Sequence, residues 1–430
     1  MARLLMVESW LGSSGRAFAQ ALHDQGHQFL LATRDPELYG GDPAHPALVH
    51  ADDVMIAETH DHAALVTRVA RWHATTPFAG VVTTCDYYLE AVAVVAEALG
   101  LAGPAPAAVR VAMRKHLVRE ASQAAELANP RFAVARTPEE ACTAARSLGW
   151  PLIAKPVDLN AGTAVRRVED DAGLAAAVTA IQRLERNSRG QPLSRLVLLE
   201  EVLVGQEVSV EAVTVGGRTS VLGITDKSIT GEPALVESGH MFPARLEPAT
   251  AQAVEDCVRR ALEAVGNAHG LSHTEVMVTA GNPRIVEINP RQGGNHIFEL
   301  VRHVIRVDVF EIMVDLAVGQ LPRSSPPTGD GQRPASAAIF FLMAPLDADV
   351  DRVTGTRGLD DDPRLLRWEV TAPVAARRPW DNDDYLGHVL TIDRHGSSAR
   401  AAAEAIVAGP RLCCADGSQP APLGVPSGLV

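Results

Sequence analysis

The first hundred residues alternate between short apolar runs and amphipathic stretches. Arg3–Val7 and Phe29–Thr33 are apolar runs of strand length, and Arg16–Gln25 between them has helical periodicity. The turn Gly12–Gly15 has the pattern G-x-x-G and lacks the longer glycine fingerprint of dinucleotide sites. This order predicts a parallel α/β unit, as in nucleotide-binding folds. A helix, a strand and a helix continue it over Asp61–Trp72, Gly80–Thr84 and Tyr87–Leu99.

A second pattern, between His273 and Asn295, predicts an antiparallel hairpin. Thr274–Thr279 and Arg284–Ile288 both alternate between apolar and other residues. The turn formers Ala-Gly-Asn-Pro, centred near Gly281, separate the two runs. The two strands are therefore expected to pair directly with each other.

This hairpin would bring acidic side chains together. Glu275 falls opposite Glu287 to within about one residue, at roughly 5 Å, and carboxylates at that distance repel each other. Asn289 shares the face of Glu287, because side chains alternate along a strand. A divalent cation with a preference for hard oxygen ligands would relieve the repulsion, so we predict a Mg²⁺ site here, with Mn²⁺ as an alternative ion. The competing interpretation is a surface hairpin with solvated acids.

The residues after the hairpin can hold an anion. Arg291 follows two residues after Asn289 and has the forked shape that grips anionic oxygens. The glycines before Asn295 lead into the apolar-periodic run Ile297–Val318, which we predict as one helix with Asn295 as its N-cap. The free N–H groups at a helix start attract anions.

Two segments in the middle of the chain are candidate phosphate-binding or lid segments. Lys155 ends a short apolar strand and precedes the turn-rich loop Asp158–Thr163. Within that loop, Gly162 and Thr163 can present N–H and hydroxyl donors to phosphates. Lys227–Pro243 is a polar connection of about seventeen residues, and loops of that length are often functional or mobile. It contains Lys227, Glu237 and His240.

Composition narrows the class of protein. The chain has 430 residues, enough for two or three domains, and 47% of them are hydrophobic. The net charge of −13 argues against nucleic acid as a main partner. The five cysteines lack CxxC spacing and indicate a reducing, cytoplasmic location. The sequence contains no run of 18 apolar residues, so we do not expect a membrane-spanning helix.

The charged residues occur in an order that resembles a known family. Lys115 and Lys155-Pro156 come first, followed by Glu200-Glu201 with Glu207 seven residues after the first glutamate. Glu275 and the motif Glu287-Ile288-Asn289-Pro290-Arg291 complete the order. This sequence of motifs resembles the ATP-grasp superfamily of carboxylate–amine ligases, from about residue 115 to residue 318. The first hundred residues are similar to the domain that precedes ATP-grasp domains.

The resemblance implies ATP and Mg²⁺ as cofactors and a role for each matching residue. Lys115 and Lys155 would contact phosphates, Glu200 the adenine amino group, the Val202 backbone the ring nitrogen, and Glu207 the ribose. Glu201, Gly162, Thr163 and Lys227 complete the implied ATP site, and Glu275, Glu287 and Asn289 the metal site. Arg291 and the Gly294 N–H would stabilise the transferred phosphoryl group. Glu237-x-x-His240 resembles the substrate loop of bacterial L-amino-acid ligases. The loop sequence Asn160-Ala161-Gly162-Thr163 departs from the glycine-rich loop of that family.

The implied architecture is an α/β (α+β) ATP-grasp fold. The family analogy also implies a homodimer. We expect a parallel α/β domain over residues 1–105, a central and lid part over 106–225, the core with the magnesium site over 226–334, a small α/β closing unit over 335–415, and a disordered tail over 416–430.

The implied reaction joins an amino acid carboxylate to an amine, which would be another amino acid. Transfer of the γ-phosphoryl group of ATP would make an acyl phosphate, and this step needs positioning and charge neutralisation more than covalent help. His240 or Glu237 would orient the amine or take its proton. Two alternatives remain open: a ligase or carboxylase acting on a small non-peptide metabolite, and a nucleotide-binding regulatory protein with a dead site.

Overall fold

The N-terminal part of the chain is built on a four-stranded parallel sheet. The computed structural model describes residues 1–41, 44–229, 236–280, 282–322, 333–382 and 384–423. The first elements are β1 (Arg3–Val7), α1 (Ser13–Asp24), β2 (Gln28–Thr33), α2 (Pro46–Val49), β3 (Asp53–Ile56), α3 (His62–Thr75), β4 (Gly80–Val82) and α4 (Leu89–Leu99). The strands run in the order β3-β2-β1-β4 and all pair in parallel, as predicted. A 3-10 turn, Asp86–Tyr88, connects β4 to α4.

A smaller antiparallel sheet follows. Its elements are α5 (Pro106–Ala112), α6 (Lys115–Ala124), β5 (Phe132–Ala135), α7 (Pro138–Leu148), β6 (Leu152–Pro156), β7 (Arg166–Val168), α8 (Asp171–Arg183) and β8 (Val197–Glu201). The strand order is β5-β8-β6-β7. Apolar residues of α7 and α8 pack on the sheet in one core cluster. Thr137 and Asp170 begin these two helices, since each side chain accepts a hydrogen bond from an N–H of the first turn.

The rest of the chain forms a large antiparallel sheet and the elements that cover it. These elements are β9 (Gln206–Val215), β10 (Arg218–Ile229), β11 (Glu237–Phe242), α9 (Pro248–Ala264), β12 (His269–Thr279), β13 (Asn282–Asn289), α10 (Ile297–Ile305), α11 (Val309–Ala317), β14 (Ser336–Met343), β15 (Ala348–Thr354), β16 (Leu365–Val370), β17 (Val374–Ala376), β18 (Tyr385–Asp393), α12 (Ala399–Ala408) and β19 (Arg411–Cys414). Eight strands pair in the order β13-β12-β9-β10-β11-β14-β18-β16. The C-terminal part therefore supplies three strands of the sheet and closes it with α12 and the small sheet β17-β15-β19.

The predicted hairpin is confirmed as β12 and β13. The two strands are antiparallel, and Glu275 lies directly opposite Glu287. The pairing shifts between Glu275 and Val276, which is the signature of a β-bulge. The predicted turn centre, Gly281, lies outside the described residues.

The prediction of one helix over Ile297–Val318 is wrong. The run forms α10 and α11, and the break lies at Arg306, whose φ of +61° is incompatible with a continuing α-helix. Asp308 then begins α11, because its side chain accepts a hydrogen bond from Phe310 N. Asn295 is not the N-cap of α10. That position is His296, and it makes no side-chain capping hydrogen bond.

The predicted connection Lys227–Pro243 is largely strand. Lys227 lies in β10 and pairs with His240 of β11, and both strands are interior to the eight-stranded sheet. The polar sequence of β11 is misleading, because its Glu237 lines the cavity and its other residues are buried. These described residues are not a lid. Residues 230–235 lie outside the described part of the chain.

The predicted disorder after Ala415 is wrong for residues 416–423. Leu412 N donates to Pro420 O, and Leu423 N donates to Met343 O, so this stretch folds back on β19 and β14. Residues 424–430 lie outside the described chain. The predicted domain boundaries stay a prediction, and the boundary after residue 225 falls inside β10. No helix of the described residues is both long and apolar enough to cross a membrane.

Candidate active site

A cavity of about 1580 Å³ lies where the three main sheets meet. Residues of the N-terminal unit, the smaller sheet and the large sheet all line it. Every site residue predicted from the sequence, except His240, lines this one cavity. They are Lys115, Lys155, Gly162, Thr163, Glu200, Glu201, Val202, Glu207, Lys227, Glu237, Glu275, Glu287, Asn289, Arg291 and Gly294.

Glu275 and Glu287 form a carboxylate pair at the predicted metal site. The Lys115 ammonium lies 2.9 Å from Glu287 Oε2, and Asn289 Nδ2 donates to Glu287 Oε1 at 2.9 Å. Burial opposes ionisation of Glu287, but Lys115 and Asn289 outweigh it and hold its pKa well below the ordinary value. Glu275 is bound by the Lys227 ammonium. Both carboxylates are thus already neutralised by cations.

The donor set fits magnesium. Among the described residues no group of three or more His, Cys, Asp or Glu side chains forms a metal cluster. The site instead offers two carboxylates and one amide, and Mg²⁺ typically takes one or two carboxylates and completes its shell with water and phosphate oxygens. The lysine ammonium groups on Glu275 and Glu287 stand in for such a cation. Glu275, Glu287 and Asn289 would hold the metal.

Lys227 is the centre of a buried charge cluster. Its side chain is 1% exposed, and its Nζ lies 2.8 Å from Glu237 and 3.2 Å from Glu207, besides contacting Glu275. Burial alone would lower the pKa of Lys227, but the three carboxylates raise it well above its ordinary value. One cation facing three acids leaves negative charge over, and burial together with Glu275 and Glu237 raises the pKa of Glu207.

Lys155 and Glu200 form a second buried pair. Lys155 Nζ lies 2.6 Å from Glu200 Oε2, and Arg119 binds the other oxygen. Although burial disfavours the charge on Glu200, the two cations lower its pKa to about 2. An adenine amino group would have to share this carboxylate with both cations, so the predicted adenine contact stays a prediction. The Glu201 carboxylate accepts hydrogen bonds from Arg131 and Arg284.

The chain contains three lysines, and all three line the cavity. Every other basic side chain apart from histidine is an arginine. Lysine is a compact point charge that suits phosphate oxygens. For ion pairs on the surface, arginine can replace lysine. The scarcity of lysine in the sequence therefore points to the site, and it is a signal independent of the spacing of the motifs.

This composition makes chemical labelling selective for the cavity. We expect a small amine-acylating reagent to modify Lys115 or Lys155 before Lys227, since burial lowers the pKa of Lys155 and the carboxylates raise that of Lys227. ATP with Mg²⁺ at 100 times its Kd should slow the reaction about a hundredfold, because ~1% of sites remain free. Peptide mass spectrometry measures the modified fraction of each lysine, and the reaction without ATP is the control. Labelling that ignores ATP would contradict a nucleotide site here.

The predicted phosphate loop is held against the N-terminal unit. Asn160 Nδ2 donates to Asp86 Oδ2 at 2.6 Å, and the Tyr87 hydroxyl donates to Asn160 Oδ1 at 2.6 Å. Lys115 Nζ also donates to Leu159 O at 2.6 Å. Gly162 has a φ of +69°, which suits glycine. The loop is thus held at the edge of the cavity by Lys115 and by Asp86 and Tyr87, two residues that the motifs did not identify.

Arg291 is ion-paired with Asp86. Arg291 Nη2 lies 3.2 Å from Asp86 Oδ2, and its Nε contacts the other oxygen. The Asp86 side chain is 2% exposed and that of Arg291 is 14% exposed. Asp86 begins the 3-10 turn after β4, so the N-terminal unit holds the arginine. Gly294 lies beside this group, and a Cβ built there would be 3.9 Å from Arg291 Nη1. The guanidinium therefore reaches the cavity in a fixed position.

His240 is not among the residues that line the cavity. It is fully buried, its ring packs edge-on against Phe341, and its nearest acidic atom is Glu237 Oε2 at 3.3 Å. His240 is the direct strand partner of Lys227, so its ring lies on the same face of the sheet, buried behind Glu237 and Phe341. The predicted contact between His240 and the amine stays a prediction. Glu237 does line the cavity, where Asn295 Nδ2 donates to its Oε2 at 2.5 Å.

His273 supports the metal carboxylate from behind. Its Nδ1 lies 2.7 Å from Glu211 Oε1 and its Nε2 lies 3.5 Å from Glu275 Oε1. Burial would lower the pKa of His273, but these two acids raise it to about 9. The alternation His-x-Glu in β12 puts His273 and Glu275 on one face, which is the sequence signal that could have identified it.

Two family models match the chain: the ATP-grasp N-terminal domain over residues 19–103 and the ATP-grasp domain over residues 148–299. Carnosine synthase 1 of Gallus gallus is 29% identical over 328 residues, which are 72% of this chain and 35% of that protein. This chain thus spans about a third of the length of that relative.

The fold is similar to those of solved ligases and carboxylases. An L-amino acid ligase from Bacillus licheniformis aligns with a TM-score of 0.77 at 21% identity, covering 95% of this chain and 98% of that one. The biotin carboxylase domain of the Hydrogenobacter thermophilus 2-oxoglutarate carboxylase, in complex with MgADP and bicarbonate, aligns with a TM-score of 0.68 at 16% identity, covering 95% and 90%. Together the two family models match more than half of this chain, and they show that it belongs to the ATP-grasp family.

Proposed function

We propose that the protein is an ATP-dependent ligase that forms an amide bond between an amino acid carboxylate and the amine of another amino acid. The reaction would pass through an acyl phosphate and release ADP and phosphate. The observation that carries the proposal is the convergence, on one cavity, of three lysines, the carboxylate pair Glu275 and Glu287, and the anchored Arg291.

The first step is transfer of the γ-phosphoryl group of ATP to a carboxylate. Lys115 and Lys155 would neutralise phosphate oxygens, and Arg291 would stabilise the charge on the transferred group. Bound magnesium supplies further charge neutralisation and holds the phosphate oxygens in place. When ATP arrives, the lysines exchange their present carboxylate partners for phosphate oxygens. Each lysine would therefore have an anionic partner both before and after ATP binds.

The second step is attack of the amine on the acyl phosphate. This intermediate hydrolyses readily, so the site must exclude water while it exists. The loop Asp158–Thr163 is suited to that purpose, because it already bridges the N-terminal unit and the smaller sheet. The amine would bind beside Glu237, Asn295 and Tyr385, which line the cavity together. The Tyr385 hydroxyl donates to Glu237 O at 2.9 Å.

An amino acid pair is favoured over other substrates by the relatives. The solved relative is named as a ligase of L-amino acids, and the sequence relative is named for the synthesis of carnosine. The carboxylase likeness supports a second candidate, a ligase or carboxylase acting on a small non-peptide metabolite. A homodimer stays a prediction.

The test is ADP release with ATP and Mg²⁺ in the presence of single amino acids, amino acid pairs, or bicarbonate. We expect release with amino acids, and a mass-spectrometric screen of pairs should detect the dipeptide product. Release with bicarbonate alone would favour the carboxylase candidate. ATP binding without ADP release under any of these conditions would favour a regulatory protein with a dead site.

A further inference from the structure

His296 lies at the entrance to α10 in an unusual backbone conformation. Its φ is +64° and that of Asn295 is +47°, and two consecutive non-glycine residues in the left-handed region are rare. Both line the cavity and directly follow Gly294. Backbone strain of this kind concentrates at functional sites, where the surrounding structure maintains it.

Contacts from two other elements orient the His296 ring. Nδ1 lies 2.6 Å from Glu299 Oε1. Arg367 Nη2 of β16 lies 3.0 Å from the same oxygen and 3.3 Å from Nδ1. Burial opposes ionisation of Glu299, but His296 and Arg367 lower its pKa to about 2. The contact of Nδ1 with Glu299 is shorter than its contact with Arg367, and two acceptors would not approach to 2.6 Å. We therefore assign the hydrogen to Nδ1, directed at the carboxylate.

This tautomer leaves a lone pair on Nε2. Within the described chain, His296 Nε2 makes no hydrogen bond and no ion pair, and the side chain is 17% exposed. A histidine whose Nδ1–H is held by a carboxylate and whose Nε2 is open has the arrangement of a general base.

The other histidines of the cavity are not available for this task. His273 has both nitrogens directed at carboxylates. His388 Nε2 accepts a hydrogen bond from Arg367 Nε at 3.2 Å, and burial, together with His296 and Arg367, lowers its pKa to about 3. Glu237 is also a weak base, because Lys227 and His240 hold its pKa well below the ordinary value in spite of burial.

We propose that His296 Nε2 takes the proton of the attacking amine, with Glu299 and Arg367 as positioning residues. This inference rests on the proposed function. An amino acid's ammonium group has no lone pair and must lose a proton before it can attack. One proton passes to Nε2 and later to solvent. The nitrogen lone pair then forms the C–N bond, the bond from the carbonyl carbon to the phosphate oxygen breaks, and phosphate leaves with that electron pair and the second amine proton.

The experiment compares two nucleophiles. Hydroxylamine is uncharged near neutral pH and traps the acyl phosphate as a hydroxamate without a base, whereas an amino acid needs one. His296→Asn is the first variant, because asparagine tolerates the left-handed region. We expect its dipeptide-forming kcat to fall by about 10²–10⁴-fold, the usual worth of a general base, and its hydroxamate rate to fall far less. His303→Gln, on the same helix and not lining the cavity, is the matched control.

Chemical rescue keeps the test independent of folding. His296→Gly removes the ring and suits the same backbone, so added imidazole should restore dipeptide formation in this variant but not affect His303→Gln. Equal loss of hydroxamate and dipeptide, or unchanged dipeptide formation, would overturn the assignment of His296. Failure of the wild type to form hydroxamate or ADP with any amino acid would instead reject the proposed function.

Discussion

Replacing Glu287 by Gln is expected to abolish turnover. Gln keeps the size of the side chain and can still accept the hydrogen bond from Asn289, but it removes one of the two carboxylates that would hold magnesium. Loss of one group that neutralises charge in the transition state costs on the order of 10²–10³ in rate, and loss of the metal adds to this. ADP release at saturating ATP and amino acids measures the effect.

Glu255→Gln is the matched control for this variant. Glu255 lies on α9 and pairs with Arg259 on the surface, away from the cavity. Its substitution should leave turnover unchanged, because exposed ion pairs contribute little. Retained activity in Glu287→Gln, with normal folding by circular dichroism, would count heavily against the assignment of the metal site.

Replacing Arg291 by Ala is expected to cut the rate by several powers of ten while ATP binding stays nearly intact. The Arg291 guanidinium would stabilise the phosphoryl group in the transition state of its transfer. Its loss is therefore expected to lower kcat and not the affinity for ATP. An arginine that stabilises phosphoryl transfer is worth about 10³–10⁵ in rate. Single-turnover kinetics and a separate titration of ATP binding distinguish the two quantities.

The ion pair with Asp86 complicates the single variant. Removing Arg291 leaves a buried Asp86 carboxylate without its cation, which typically costs about 3–5 kcal/mol of stability. The double variant Asp86→Asn/Arg291→Ala removes that charge as well and should recover stability but not rate. Arg259→Ala, in the surface pair on α9, is the control for arginine loss. Weakened ATP affinity at a normal rate would contradict the assigned role.

Asp86 shows why the N-terminal unit matters to the chemistry. It contacts both Arg291 and Asn160 of the phosphate loop, two groups that lie far apart in the chain. We expect a ligand that moves the loop to change the position of Arg291 as well, because both groups are bound to the Asp86 carboxylate. No pattern around Asp86 in the sequence distinguishes it from a surface acid in a turn.

Local patterns in the sequence predicted most of the secondary structure and the pairing of Glu275 with Glu287. The hairpin register followed from alternation and turn position, and the structure pairs Glu275 with Glu287 as expected. Patterns failed where a local signal had two meanings. The polar residues of β11 predicted a loop, because the sequence does not reveal that they pair with Lys227 of β10 and line a cavity. The run after Asn295 read as one helix because periodicity does not detect a single residue such as Arg306 in the left-handed region.

By itself, the sequence determined the order of strands and helices and the set of charged residues that meet at the site, since both depend on short-range periodicity and residue type. Only the tertiary structure decided which charges pair, that the His240 ring is buried behind the cavity wall, and that His296 Nε2 has no hydrogen-bond partner among the described residues. The physical reason is that pairing and orientation depend on backbone geometry at a few positions and on contacts between segments up to about two hundred residues apart, such as Asp86 and Arg291.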